Sequence, residues 1–389
     1  MRVLWLCSWY PSEIDRFDGD FIQRHAHAAA LFNDIYVIHI AADDKGKVTD
    51  HVKKEVTTKG RLTECIVYFK KTTSFLGKVN GFLKWRRLFS KTITEYIELN
   101  GVPDLVHVHV PMRSGLLALS LKRKYKIAYL VSEHWTIYQP GTPRSFSKQS
   151  PVFKFLTRRI IKASDLLLTV SEDLGRRINE QVVAKQFLVV PNVANETLFF
   201  YEPVQEMPFV FIHVSNMSYQ KNVRPIVACF HTFYQEFPNS QLILVGRYEK
   251  SLLGAAKETG LLNKSIFFRG EISYDEVARE LRHANVLVLF SYFENLPCVI
   301  IEALSCGRPV ITTAVGGIPE IVDEHNGLFV TINDSTSLIK AMRQMMSQYR
   351  FLDLKKISLD ATSKFSYTAV GALFDNIYRK TLGEKQRLL

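Results

Sequence analysis

No apolar run in the 389-residue chain is long enough to span a bilayer. The opening "MRVLWLCSWYP" also lacks the length and small-residue cleavage site of a signal peptide, so it is expected to be a buried first strand. Cysteine is scarce. Cys7, Cys65, Cys229, Cys298 and Cys306 are scattered, with no CxxC pair and no Cys/His cluster at zinc spacing. That pattern argues against a disulfide framework and a structural metal, and it suits a reducing, cytoplasmic setting. Short repeats and low-complexity tracts are absent as well.

What remains is ordinary soluble composition, with 47% apolar and 23% charged residues. The length suits two domains of roughly 150–200 residues each. The formal net charge of +12 is unevenly placed. Residues 1–200 hold 30 basic against 19 acidic side chains; residues 201–389 hold 20 against 19. The positive field of the first half suits a nucleic acid, an anionic membrane or a phosphorylated substrate. No nucleic-acid-binding motif accompanies it.

Short Val/Ile/Leu-rich runs alternate with amphipathic segments throughout. The first half offers "RVLWLCSW", "DIYVIHI", "ECIVYFK", "DLVHVHV", "AYLVSEH", "DLLLTVS" and "QFLVVPN". The second offers "FVFIHVSN", "QLILVG", "SIFFRG", "VLVLFS", "PVITT" and "GLFVT". Such runs separated by helices predict parallel sheets covered on both faces. The reading is an α/β chain of two Rossmann-like, doubly wound domains, residues 1–195 and 205–365, facing a central cleft. The segment 366–389 is a helix with apolar Val370, Leu373, Phe374 and Ile377, suited to packing back on the first domain. Open α/β sheets bind ligands beyond the carboxyl ends of their strands, so the loops there deserve the search.

The densest such loop is "SYFENLPCVIIEALSCGRPVITTAVGGIPEIV", residues 291–322. A strand ends before it, and a helix is expected to begin near Pro297. The free amides in the Cys298–Ile301 region would make an anion site, and Leu296, Pro297, Cys298 and Val299 are the candidate donor contacts there. Glu302 lies five residues into that helix, ~7–8 Å along its axis. Glu294 stands just outside it. Carboxylates accept from sugar diols, so a diphosphate on the amides would carry one sugar near each glutamate. A capped helix with a solvated Glu302 fits the spacing equally well.

The run from Glu294 to Val322 resembles the E-x7-E signature of the glycosyltransferase family four group. "AYLVSEHW", "ASDLLLTVSEDL", "VVPNVANETLF", "QKNV", "LILVG" and "SIFFRGEISYDEVARELRHANVLVLFS" are collinear with the same pattern. The resemblance implies the GT-B fold and a retaining, metal-independent hexosyltransferase without a cofactor. Its donor would be a UDP- or GDP-linked nucleotide sugar. It implies that Lys221 holds the donor diphosphate. The family's second cation falls at Asn216, which departs from it, with Arg224 or Arg247 as the nearest substitutes. It implies hexose contacts for Glu294, ribose contacts for Glu302, and a place for His134 near the reacting sugar, with Glu133 beside it. Gly19 and Asp20 fall in a loop that faces acceptor and donor in the family; a plain turn glycine is the bland alternative. Arg269 lies in the segment that contacts the nucleobase through its backbone, and is read as either a stacking residue or a surface cation. His107 and His109 alternate on one strand and are read as structural.

Two segments, residues 74–93 and 146–165, mix Lys/Arg with Phe, Trp and Leu. Each suits an anionic membrane surface or, alternatively, a helix packed on the sheet with a solvated basic face. The expectation from the whole chain is an enzyme that is peripheral at the inner membrane face. It would transfer a sugar to a glycan or lipid-linked acceptor in cell-surface polysaccharide or glycolipid synthesis. The same site with a soluble small acceptor, or a binding protein that has lost transfer, are the rival readings. No nucleic-acid partner is expected.

Overall fold

The computed structural model describes residues 1–44, 46–48, 50–70, 75–204 and 207–386. The expected domain start at 205, the chain end at 387–389, Ser74 at the head of the first basic segment, and the side chains of Phe75 and Leu76 fall outside this description. The chain forms two units. One comprises Met1–Tyr138, Arg144–Pro191 and the chain from Tyr367; the other comprises Gln139–Pro143 and Asn192–Ser366. The division after Pro191 falls a few residues before the 195–205 interval, and the last helix belongs to the first unit.

In the first unit the strands are β1 (Arg2–Cys7), β2 (Asp34–Asp43), β3 (Val52–Lys59), β4 (Leu62–Lys70), β5 (Leu105–His109), β6 (Ala128–Glu133), β7 (Leu166–Thr169) and β8 (Phe187–Val189). They form one sheet in the order β3-β4-β2-β1-β5-β6-β7-β8. Every neighbouring pair is parallel except β3–β4. All residues of β5 and β6 are buried, as strands covered on both faces must be.

Strand β3, "VKKEVTTK", was not among the expected strands. It has one apolar residue in four and is mostly exposed. Its strand character comes from hairpin pairing with β4 through Gly60, whose φ is +59°. Lysines on such an edge discourage pairing with another chain. Lys54 is tied to Glu95 at 2.7 Å and Lys53 to Glu13 at 2.9 Å.

The second unit holds β9 (Phe209–Val214), β10 (Ser240–Val245), β11 (Ile266–Gly270), β12 (Val286–Leu289), β13 (Val310–Thr313) and β14 (Gly327–Val330). Their order is β11-β10-β9-β12-β13-β14, all parallel. This is the doubly wound 3-2-1-4-5-6 order. Its core centres on aromatic edges, with Phe211 against Phe233 at 5.2 Å and 86°.

Right-handed crossovers fix where the helices lie. From β9 the chain turns to β10 on one side; from β12 it turns to β13 on the other. The helices after β9 and β12 therefore cover opposite faces and leave a crevice above the carboxyl ends of these two neighbours. In the first unit the connections from β4 to β5, β5 to β6 and β6 to β7 all advance the same way. Helices Phe75–Asn100, Ser114–Tyr125 and Pro151–Ala163 consequently share one face of the sheet. Helix Asp20–Ala30 runs on the other face, where helix Tyr367–Gln386 packs against it. Val370, Phe374, Ile377 and Tyr378 are buried there. No described helix is long and apolar enough to cross a membrane.

The contact between these two helices is close at Gly371, where a Cβ would come within 2.2 Å of the Ala28 carbonyl oxygen. Gly371→Ala is expected to destabilise the first unit by about 2–3 kcal/mol, lowering the melting temperature by about 5 °C. Gly383→Ala, where a Cβ meets nothing within 4 Å, is expected to leave the melting temperature unchanged or slightly raised. Equal melting curves for the two variants would contradict this packing.

Candidate active site

The crevice of the second unit is lined by the loops that follow β9 and β12. The first of these ends in a short turn, Tyr219–Lys221, before helix Val223–Tyr234. The second runs to Pro297, where helix Cys298–Ser305 begins. The loops are stitched together by main-chain and side-chain bonds. Tyr292 N donates to Gln220 O at 2.9 Å, and Gln220 Nε2 donates to Phe293 O at 2.8 Å. Lys221 Nζ lies 2.5 Å from Glu294 Oε1. Ser291 Oγ donates to the same oxygen at 2.8 Å, and Gln220 Nε2 reaches Glu294 Oε2 at 3.1 Å. The residues expected to hold diphosphate and hexose thus contact each other.

Glycine makes this placement possible. Gly316 has φ +57°, and a Cβ on it would sit 1.9 Å from the Glu294 carbonyl oxygen. Gly317 N donates to Asn295 O at 2.7 Å. The Gly-Gly turn after β13 is therefore the seat on which the Glu294 backbone rests. Asn192 supports the same loop, donating to Leu296 O at 2.6 Å. Pro297 is the residue just before the helix, not its first turn, and offers no side-chain cap. Leu296, Pro297 and Val299 are buried, and Cys298 is half-buried. Glu302 is also buried, not solvated, and accepts from Tyr274 Oη at 3.1 Å.

The remaining cations are distributed differently. Asn216 accepts from Ser218 N at 3.2 Å, shaping its own loop. Gly246 packs on the Ser215 carbonyl, where a Cβ would meet the oxygen at 1.8 Å. Exposed Arg247 follows Gly246 just beyond the end of β10. Arg224 is exposed in the first turn of the next helix. Arg269 is paired with Glu280 at 2.9 Å, so its charge is turned to a neighbouring helix. Sequence reasoning missed Gln220, Ser291, Tyr274 and Asn192, whose single polar groups have no signature until the loops meet. It also missed the stacked pair Tyr219 and Tyr292, 5.0 Å apart, with Tyr219 71% exposed.

In the first unit His134 follows β6 at its carboxyl end. Its ring stacks on His109 at 5.6 Å and 13°, and the two rings' Nε2 and Nδ1 lie 3.4 Å apart. Phe21 and His25 lie beside it, their ring centroids 5.0 and 5.6 Å away. His25 Nε2 donates to Pro191 O at 2.9 Å. His107 lies between Tyr378 Oη and Ser132 Oγ, 2.8 Å from each. Glu133 is turned inward: one oxygen accepts from the His134 and Trp135 amides, the other from Tyr138 Oη at 3.0 Å. It shapes the turn that carries His134, and burial raises its carboxyl to about 7. Gly19, at φ +69°, lies so close to Trp9 that a Cβ would meet its backbone at 2.7 Å. Asp20 pairs with Arg24 one turn on, at 2.9 Å. Among the described residues no group of three or more His, Cys, Asp or Glu side chains is arranged to hold a metal ion.

Two parallel α/β units, each with its polar residues beyond strand carboxyl ends, define the class as a GT-B-type glycosyltransferase. Residues 25–197 match the family described as Glycosyltransferase Family 4, and residues 194–358 match Glycosyl transferases group 1. The chain belongs to the glycosyltransferase family four group. It is 25% identical over 368 residues, 88% of each chain, to the putative teichuronic acid biosynthesis glycosyltransferase TuaC of Bacillus subtilis. Its fold matches sucrose-phosphate synthase from Thermosynechococcus elongatus with a TM-score of 0.78, at 20% identity over 99% of this chain and 100% of the other. It also matches Anabaena HepE in complex with UDP, TM-score 0.73, at 16% identity over 98% and 100% of the two chains.

Burial lowers His25 and His39 to about 4 and His107 to about 3, and drives His109 and His134 well below the ordinary histidine range. These groups bind protons more readily once unfolded. Their stabilising effect is complete above about pH 6.5 and is lost as pH falls towards 4. Glu133 acts in the opposite sense, its contribution being lost as pH rises from about 4.5 through 7. Asp18, raised to about 6 by burial, acts as Glu133 does, and His213, lowered to about 4, adds to the imidazoles; six imidazoles outweigh two carboxyls. Calorimetry is expected to show a melting temperature that falls as pH is lowered from 7.5 to 5, with a shallower fall in His39→Gln. A flat profile would refute burial of neutral imidazoles.

Proposed function

We propose that this glycosyltransferase moves a hexose-type sugar, with retention, from a UDP- or GDP-linked donor to a hydroxyl of a lipid-linked glycan in cell-surface polysaccharide or glycolipid synthesis. The observation that carries the donor assignment is the Lys221–Glu294 contact beside the uncapped start of helix Cys298–Ser305. The lysine and the helix amides suit two phosphates, and Glu302, buried five residues into the helix, suits a ribose diol. HepE in complex with UDP has the same fold, which supports a nucleotide donor. Arg247 is the substitute for the cation missing at Asn216. No metal is assigned, because the leaving diphosphate is met by these donors. The bond from the sugar's anomeric carbon to the phosphate oxygen breaks as that carbon bonds the acceptor oxygen on the same face. The acceptor proton passes to a phosphate oxygen. The first unit is assigned the acceptor, with His134 as its polar group.

The second unit is assigned the donor. Lys221→Ala is expected to lower turnover at least tenfold, roughly the effect of losing one charge-assisted contact to the leaving group. Glu302→Ala is expected to weaken donor binding with little change in the melting temperature. Screening nucleotide sugars by thermal shift identifies the donor for these assays. Unchanged donor hydrolysis and transfer in both variants would overturn the site.

The peripheral membrane assignment rests on exposed apolar side chains beside basic ones. Phe82 and Leu83 stand next to exposed Arg86 and Arg87; Val152 and Phe155 stand near exposed Lys148, Arg158 and Arg159. Both helices lie on the same face of the first sheet. Such pairing suits an anionic bilayer surface, here the inner membrane face. The protein is expected to float with phosphatidylglycerol vesicles, and Phe82→Glu with Phe155→Glu together to reduce the bound fraction severalfold. Retention in the soluble fraction would favour a soluble acceptor.

A further inference from the structure

Resting on the donor-site reading, we propose that Lys221 is an exchangeable partner, paired with Glu294 across the crevice and transferred to the donor diphosphate on binding. Gln220 and Ser291 then act as positioning residues that keep Glu294 in place. Three observations converge. The ion pair is largely removed from water, its side chains being 16% and 6% exposed. Glu294 does not depend on it, because Ser291 Oγ and Gln220 Nε2 grip both carboxylate oxygens, and the seat at Gly316 holds its backbone. Lys221, by contrast, sits at the end of a short turn on a flexible four-carbon stem.

An anion arriving at the start of helix Cys298–Ser305 therefore competes with Glu294 for one ammonium group. Paired with Glu294, Lys221 is not left as an uncompensated, partly buried charge. When the lysine swings away, Glu294 is left with unfilled acceptor sites, which the hexose hydroxyls satisfy. Diphosphate and hexose recognition are coupled: a nucleoside diphosphate alone breaks the ion pair without replacing Glu294's partner, whereas the intact nucleotide sugar does both.

Titration calorimetry on the full chain with UDP and with GDP tests this. Glu294→Gln, which cannot hold the ammonium as a charge, is expected to bind the preferred nucleotide about tenfold tighter than the native protein does, while Lys221→Met binds about tenfold weaker. In the double variant the gain from Glu294→Gln disappears. Gln220→Ala is expected to keep nucleotide affinity within about twofold yet lower kcat with the identified nucleotide sugar about tenfold, a split that simple destabilisation would not produce. If Lys221→Met weakens binding but Glu294→Gln leaves it unchanged or weaker, the exchange is overturned and the donor site stands. If neither nucleotide binds the native protein or any variant, both fall.

Discussion

The chemistry of the second unit depends on a topological constraint. Strands β9 and β12 are neighbours in the sheet, yet their right-handed connections leave in opposite directions. No helix can fill the space above their carboxyl ends. Two loops distant in sequence, one carrying Lys221 and the other Glu294, are brought to that crevice. Backbone bonds then lock them together, so a cation and a carboxylate more than seventy residues apart become neighbours. The glycines act within this frame. Gly316 and Gly246 each allow two main chains to meet at a distance no side chain would permit.

The first unit uses its equivalent position differently. Its inner strands bury His107 and His109, with Trp5 packed on both rings and Phe374 and Tyr378 on His107, and half-buried His134 follows β6 beside them. Two of those aromatic residues come from the helix after Tyr367, so the far end of the chain completes the core around the imidazoles. The result is a set of rings held neutral by burial.

Family membership and fold agree with the physical reading, but they act at different resolutions. The matched segments run almost without interruption from residue 25 to 358. They establish the class of enzyme. The Asn216 amide shapes its own loop by accepting from Ser218 N.

All thirteen apolar strand candidates were legible in the sequence because each carries an apolar run, continuous where both faces of the strand are covered, as in β5 and β6. Strand β3 was not legible, since a solvated edge strand draws its order from a hairpin partner and not from its own composition. The E-x7-E run was legible because the helix start and the carboxylates are local. What only the tertiary structure decided is pairing. Lys221 with Glu294, Tyr274 with Glu302, and His109 with His134 are joined by crossovers or by adjacent strands, and no local pattern encodes which polar side chains will meet. The same limit explains Glu133, which reads as a site carboxylate beside His134 but is spent on backbone amides and Tyr138. A short sequence interval records what a residue can donate or accept; the sheet order determines what is within reach.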